Sequence, residues 1–417
     1  MEQREMLDRK YAQLLLRRCL SFNNTDTLLI DYNTHEHDKF VEIIIDEAKK
    51  MNIKNIGTYL CDEDEFHEYL KNIDLEDIEL NPLLDRTSWN ETAKKDGCVL
   101  HINTFIPELM NDIDEEKITK ASEIRIKTYK YYKQNNTQYN FPWVICAYPN
   151  ERWANYLFNN DKDAYLKLYN YIIKMCMVDK ECPVNEWQKY IIENNYYKDN
   201  LNRLEINKLY YKNSLGTDFE IGFPKKYEWL NMDKTDKYGS PIMVNMPSYE
   251  IFTTPDSKTA NGIVYNSRPL VFNGKIIDDF YIEFKDGKAI NYKAKIGNES
   301  LIKIIENYQN SNRLGEVALV NNNSPISNTG IVFYDTLFDE NASCHLALGR
   351  GSKKTIVDCL NLSKEEIDKS IDQLLDEYCI NKSDIHVDFM IGTSDLEIKA
   401  DTNKGKKKIF KNGNFCF

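Results

Sequence analysis

TLLIDYNTHEHDKFVEIIIDEAKKMNIKNIGTYLC, residues 27–61, sets the architecture of the first half of the chain. TLLIDYN (27–33) is a short apolar run that ends in turn formers, and it predicts a strand. HDKFVEIIIDEAKKMNI (37–53) spaces its apolar residues as a helix does, and NIGTYLC (55–61) reads as a second strand. Working outward, Met6 to Phe22 is amphipathic, while GCVLHINTF (97–105) and PWVICAYP (142–149) are further strands separated by a long charged helix around 115–134. Strands alternating with helices imply a mainly parallel sheet covered by helices. Residues 1–190 are therefore expected to form an α/β N-terminal domain. Such sheets often bind nucleotides, but no GxGxxG follows the first strand and no GxxxxGK[ST] occurs in the chain. This half reads as scaffold or substrate wall.

From about residue 190 the pattern changes. LNRLEINKLYY (201–211), GTDFEIGFP (216–224), YIEFKDGKAINYKAK (281–295), GEVALV (315–320), GIVFYDTLF (330–338) and HVDFMIG (386–392) are short and strand-like, with Asn, Gly, Asp and Lys turns between them. FKDGKAI carries an Asp-Gly hairpin signal. Helices are expected at 299–311 and 363–379, the second opened by a capping box from Ser363 to Glu366. Residues 191–417 thus predict an α+β C-terminal domain rich in antiparallel strands.

A chain of 417 residues is too long for one ordinary core. Its 42% hydrophobic and 12% aromatic content suffices for packed domains. With 54 basic against 66 acidic residues the net charge is −12, which disfavours nucleic acid and anionic membranes as partners. The basic run GKKKIFK (405–411) reads as a solvated strand end or tail. No apolar run approaches the length of a membrane span, and the charged N-terminus lacks the apolar core of a signal peptide. The ten cysteines (19, 61, 98, 146, 176, 182, 344, 359, 379 and 416) are scattered without a CxxC pair. A cytoplasmic protein with reduced thiols is expected.

A charge inside an apolar strand costs several kcal/mol unless it is paired or bound to metal. In HVDFMIG, His386 and Asp388 are two apart and point to the same face. Glu316 is the ionisable residue of LGEVALV, Glu250 lies between apolar neighbours in MPSYEIFTTP, and His345 sits in CHLALG. Two Glu, two His and one Asp suit Zn, Co or Mn, and in number they fit two ions sharing a bridging carboxylate. Spacing alone leaves the alternative open. A buried histidine is also a common hydrogen-bonded core residue, and a lone strand glutamate a common edge or ion-pair residue. His35 and His37 could form an H-x-H site, but at a helix start they read as exposed capping residues. Cys344 is next to His345 and so faces the opposite way, as a small buried side chain.

GTDFEIGF, MPSYEIFTTP with NGIVYNSRPL, LGEVALV with SPIS, TLFDENASCHLALG and HVDFMIG occur in this order. Together they resemble the M29 family of metallo-aminopeptidases, of the aminopeptidase T, PepS and AmpS type. The resemblance implies a C-terminal domain with two divalent metals held by Glu250, Glu316, His345, His386 and Asp388. It also implies Glu316 as the catalytic carboxylate, peptides as substrates, and a homodimer whose active sites face an enclosed cavity.

Three positions depart from the family pattern. Ser352 stands where the family has a tyrosine that helps stabilise the tetrahedral intermediate; Arg350, Lys353 and Tyr249 are candidate substitutes. Tyr249-Glu250 replaces two consecutive glutamates, and Asp256 replaces a histidine after TxP. Two readings are open: a working dimetal aminopeptidase, or a metal-binding homologue with weak or no activity that serves as a peptide-binding or structural dimer.

Overall fold

The computed structural model describes residues 2–136, 140–360 and 364–417. The chain forms two compact units, Met1–Tyr190 with Asp233–Pro247, and Ile191–Met232 with Ser248–Phe417.

In the first unit, the described residues form a five-stranded parallel sheet in the order Asn245–Met246, Trp143–Ala147, Cys98–Asn103, Thr27–Tyr32, Asn55–Leu60. The helix Asp38–Lys50 makes the crossover between the first two strands and buries Phe40, Val41, Ile43, Ile44 and Ala48. The N-terminal helix Glu2–Leu14 runs on as a π-helical segment, Leu15–Cys19. The expected charged helix is broken in two, Glu115–Thr128 and Lys130–Asn136.

The second unit is α+β and antiparallel. Its larger sheet joins nine strands among the described residues, including Ile206–Lys212, Asp218–Gly222, Lys275–Lys285, Lys288–Ile296, Glu397–Thr402 and Gly405–Lys411. The hairpin Lys275–Ile296 turns at Asp286 and Gly287, with φ of 50° and 78°. Both values lie in the left-handed region that an Asp-Gly pair enters at low cost. The smaller sheet carries His386–Met390, His345–Gly349, Leu314–Leu319, Ile251–Thr253 and Leu230–Asn231, in that order. Side chains from both sheets share one core, with Leu209, Phe219, Phe280 and Ile282 from the larger and Val317, Leu319, Leu346, Leu348 and Phe389 from the smaller.

Two expected strands are different elements. Leu201, Asn202 and Arg203 form the last turn of the helix Pro183–Arg203, so the strand starts only at Ile206. GIVFYDTLF is a loop leading into the short helix Thr336–Glu340. Asp335 caps that helix by accepting from the Phe338 N–H, and Tyr334 has a φ of 55°, a left-handed conformation that interrupts extended backbone. The second expected helix is described from Lys364 to Glu377; Ser363 of its capping box lies outside the described residues.

Burial, with Asp339 adding, pushes the Asp335 carboxyl up to about 7. An unfolded aspartate titrates near about 3.9. Between roughly pH 4 and 7 the folded state therefore keeps a proton that the unfolded chain has lost, and this contribution to stability declines as pH rises through the window. Asparagine caps helices as well as aspartate does. Asp335→Asn is expected to keep the fold and to flatten the pH dependence. By pH 8 it should be more stable than the parent by on the order of a few kcal/mol, measured by urea unfolding across pH.

Candidate metal centre

Strand periodicity places four of the candidate side chains on one face of the smaller sheet, and Glu250 immediately precedes the Ile251–Thr253 strand on the same side. Val317, Leu319, Leu346, Leu348, Val387, Phe389 and Ile251 enter the shared core. Their alternating neighbours Glu316, His345, His386, Asp388 and Glu250 project from the opposite face. Register then aligns them. Ala347 stands opposite both Glu316 on one side and Asp388 on the other, His345 stands opposite Ala318 and Met390, and His386 faces Gly349. The small Ala347 leaves open the space between the two carboxylates.

A β-bulge aims Glu316. The register shifts between Leu314 and Glu316, so Gly315 is an extra residue on its strand. Leu314 can then join the core while Glu316, two residues on, faces away from it. Glycine is required there, because a Cβ would lie 2.4 Å from the Gly349 carbonyl oxygen and 2.5 Å from that of Arg350. The Arg350 carbonyl in turn accepts from His386 Nδ1 at 2.7 Å.

The donor atoms of Glu250, Glu316 and His345 lie within 4.8 Å of one another, as do those of Glu316, His386 and Asp388, so Glu316 belongs to both groups. His345 Nε2 is 3.2 Å from Glu250 Oε2 and 3.6 Å from Glu316 Oε1. His386 Nε2 is 3.2 Å from Asp388 Oδ1 and 3.9 Å from Glu316 Oε2. His345 Nδ1 is 3.1 Å from the Ser343 carbonyl. With both Nδ1 atoms donating to backbone carbonyls, the Nε2 atoms point into the cluster, where a metal-binding histidine presents its lone pair once it has lost the Nε2 proton.

The electrostatics describe a site that lacks positive charge. Burial alone would depress His345, but Glu250 and Glu316 outweigh it and hold the imidazole well above its usual range. Burial likewise opposes protonation of His386, yet Asp388 lifts it to about 9. Burial raises Glu316, whereas His386 overcomes burial to lower Asp388. Despite these close approaches, His345 Nε2 and Asp388 Oδ1 are buried without a hydrogen-bond partner among the described residues. Orphaned donor atoms in a carboxylate–imidazole cluster are what divalent ions would satisfy, so the residues fit a metal centre.

One acid close to the centre, Glu340 of the TLFDENASCHLALG block, is not among the ligand candidates read from the sequence. Burial drives the Glu340 carboxyl well above its usual range, and Asp388 and Glu250 add to the effect. Glu340 ends the short helix whose first residues have the composition of a strand. Neighbouring motif residues brace this region. Asn341 Oδ1 accepts from the Tyr249 N–H at 2.6 Å, Ser324 Oγ donates to the Asn341 carbonyl, and Arg268 Nη1 reaches Asp339 Oδ1 at 3.3 Å.

Ser352 lies in the loop after the His345 strand. Its N–H and C=O both bond Thr254 Oγ1, at 3.0 and 3.1 Å, which fixes its backbone beside the end of the strand that Glu250 leads into. The other candidates fall elsewhere. His35 is exposed and pairs with Asp38. His37, expected to be exposed, is fully buried with its ring edge-on to Tyr148, 5.5 Å away. Cys344 is a buried free thiol whose Sγ approaches Val320.

Ala347 forms the floor of the cluster, and Ala347→Leu would fill the gap between Glu316 and Asp388 at a packing cost of roughly 1–3 kcal/mol. The variant is expected to fold, by circular dichroism, but to bind divalent metal at least about tenfold more weakly in a calorimetric titration.

A buried face of carboxylates and imidazoles that converge on shared donor positions is the ligand set of a metal-dependent enzyme. A model of the thermophilic metalloprotease family (M29) matches residues 4–415, and the chain belongs to that family. It is 32% identical to Aminopeptidase 2 of Geobacillus stearothermophilus over 413 residues, covering 98% of this chain and 97% of the relative. It is also 32% identical to Aminopeptidase AmpS of Bacillus subtilis, covering 98% of both. Its fold superposes on wild-type AmpT from Thermus thermophilus with a TM-score of 0.86 over the whole of both chains, at 24% identity.

Proposed function

We propose that the protein is a dimetal aminopeptidase that releases N-terminal amino acids from peptides. The observation that carries this reading is the pair of three-residue ligand groups sharing Glu316. Glu250 and His345 would hold one ion, His386 and Asp388 the other, and Glu316 both, with Glu340 an additional carboxylate beside them. When bound, two divalent ions (Zn, Co or Mn) supply a water of lowered pKa and polarise the scissile carbonyl.

The remaining steps belong to the chain's own groups. The Glu316 carboxylate accepts the proton of the attacking water and returns it to the leaving amine. Residues 191–417, without the segment 233–247 that joins the first unit, act as the metal-binding catalytic domain, and residues 1–190 with that segment form the α/β domain. Ser352 occupies the place of the family tyrosine, and its hydroxyl is several ångströms shorter in reach. The site is accordingly an aminopeptidase centre short of one donor to the tetrahedral intermediate. We place the enzyme in the cytoplasm as a homodimer. Among the described residues, no helix is long and apolar enough to cross a membrane.

Elemental analysis of the purified protein, paired with release of free amino acids from a peptide panel with and without Zn, Co or Mn, tests the proposal. Two ions per chain and metal-dependent turnover are expected. Bound metal without turnover under any condition would favour the second reading, a peptide-binding or structural homologue.

A further inference from the structure

The criterion that singles out Glu316, an ionisable residue in an apolar strand, applies equally to Asp31 and His101 in the α/β unit. They are register partners on the adjacent parallel strands Thr27–Tyr32 and Cys98–Asn103. From the first of these the chain proceeds to its neighbour Asn55–Leu60 on one side, and from the second to Trp143–Ala147 on the other. This is the topological switch point of the sheet, where the crevice at the carboxyl ends of the strands takes ligands in open α/β folds.

The residues gathered there are polar and incompletely paired. His101 Nδ1 meets Asp31 Oδ2 at 2.9 Å and its Nε2 meets the Tyr132 hydroxyl at 2.7 Å. Trp89 packs edge-on to His101 at 4.6 Å, and its Nε1–H is buried without a hydrogen-bond partner. Arg86 is 4% exposed and lies over the rings of Tyr59 and Trp89, with its Nη1 donating to the Tyr59 hydroxyl and, at 3.1 Å, to the Leu83 carbonyl. Arg125 stacks on Phe66, and its Nε and Nη2 are buried without partners. Glu63 stands at the end of the Asn55–Leu60 side; burial raises its carboxyl against the pull of Arg125 and Arg86. Its carboxylate makes no hydrogen bond or ion pair among the described residues. The loops at the switch point are tied by Asn33 Nδ2 donating to the Thr104 carbonyl at 3.0 Å, while Asn33 Oδ1 is a buried acceptor without a partner.

Unpaired donors cluster on Arg125 and Trp89, and unpaired acceptors on Glu63 and Asn33. Two guanidinium groups face three carboxylates, of which Asp62 accepts from the Asp64 and Glu65 N–H groups and Asp31 meets His101, leaving Glu63 unengaged. A dianion such as phosphate would meet Asp31 and Glu63 as like charges, and a simple cation would meet the two arginines. A small dipolar molecule satisfies both sets. We infer that the switch-point crevice of the α/β unit binds a free α-amino acid, with its carboxylate at Arg125, Arg86 and Trp89 Nε1 and its ammonium group at Glu63 and Asp31. This site lies wholly within the first unit and does not depend on the reading of the metal centre.

The test is a calorimetric titration of the metal-loaded protein with L-leucine, glycine, acetate, methylammonium and inorganic phosphate, with tryptophan fluorescence read in parallel. Amino acid binding is expected to change less than about twofold in Glu316→Gln. It should weaken at least about tenfold in Arg125→Met and in Glu63→Gln, and the fluorescence response should vanish in Trp89→Phe. If Arg125→Met does not fold, Glu63→Gln decides, because it alters a partly exposed side chain. The inference is overturned if no amino acid binds or if Glu316→Gln abolishes binding. It also fails if acetate or phosphate binds as tightly as the amino acids with no effect of Glu63→Gln.

Discussion

Glu316→Gln is expected to remove peptide hydrolysis to the limit of detection. The side chain is proposed both as the ligand common to two ions and as the general base. Loss of a positioned base alone costs roughly 10²–10⁴ in rate, and weakening of both ions compounds that loss. Because Glu316 projects from the face opposite the shared core, the substitution should leave the cooperative unfolding transition intact. It also removes one negative charge from a buried cluster, so the metal-free variant should be no less stable than the metal-free parent. Metal content by elemental analysis should fall below two ions per chain. A variant that keeps both ions and full turnover would mean that Glu316 neither bridges nor acts as base.

Ser352→Tyr is expected to raise kcat, on the order of 10²-fold, which is the scale of one donor to a tetrahedral intermediate. The geometry favours the graft. Thr254 holds both backbone groups of Ser352, so a longer side chain would start from a fixed position next to the end of the strand that Glu250 leads into. The gain should appear in kcat with KM little changed, because the interaction forms in the transition state. Unchanged kcat would assign the donor to another residue, with Arg350, Lys353 and Tyr249 the ones to substitute next.

Much of this protein was legible in its sequence for a definite reason. Alternating strands and helices specify a parallel sheet, and the segments read in residues 27–61 became strand, helix and strand as written. A charged residue in an apolar strand is costly, so Glu316, His345, His386 and Asp388 stood out without any partner in view. Period-two alternation also sends His386 and Asp388 to one face whatever the rest of the chain does. Where the reading failed, a local interaction overrode the apolar pattern. GIVFYDTLF has strand composition, but the Asp335 cap and the positive φ of Tyr334 make it a loop and a helix. Glu340, just beyond that segment, was not singled out as a ligand, because an acid in the polar run Asp339–Asn341 interrupts no apolar strand. His37 was misplaced for a related reason, since its burial depends on Tyr148, more than a hundred residues away.

The sequence by itself determined many of the strands, which of their faces are apolar and which side chains are too costly to bury unpaired, because these depend on residue type and local period. Only the tertiary structure decided that the five ligand candidates share a face and that Ala347 separates Glu316 from Asp388. It alone revealed the bulge at Gly315 that turns Glu316 away from a core its neighbour Leu314 enters. Register and bulges are set by contacts between strands distant in sequence, and no single strand contains that information.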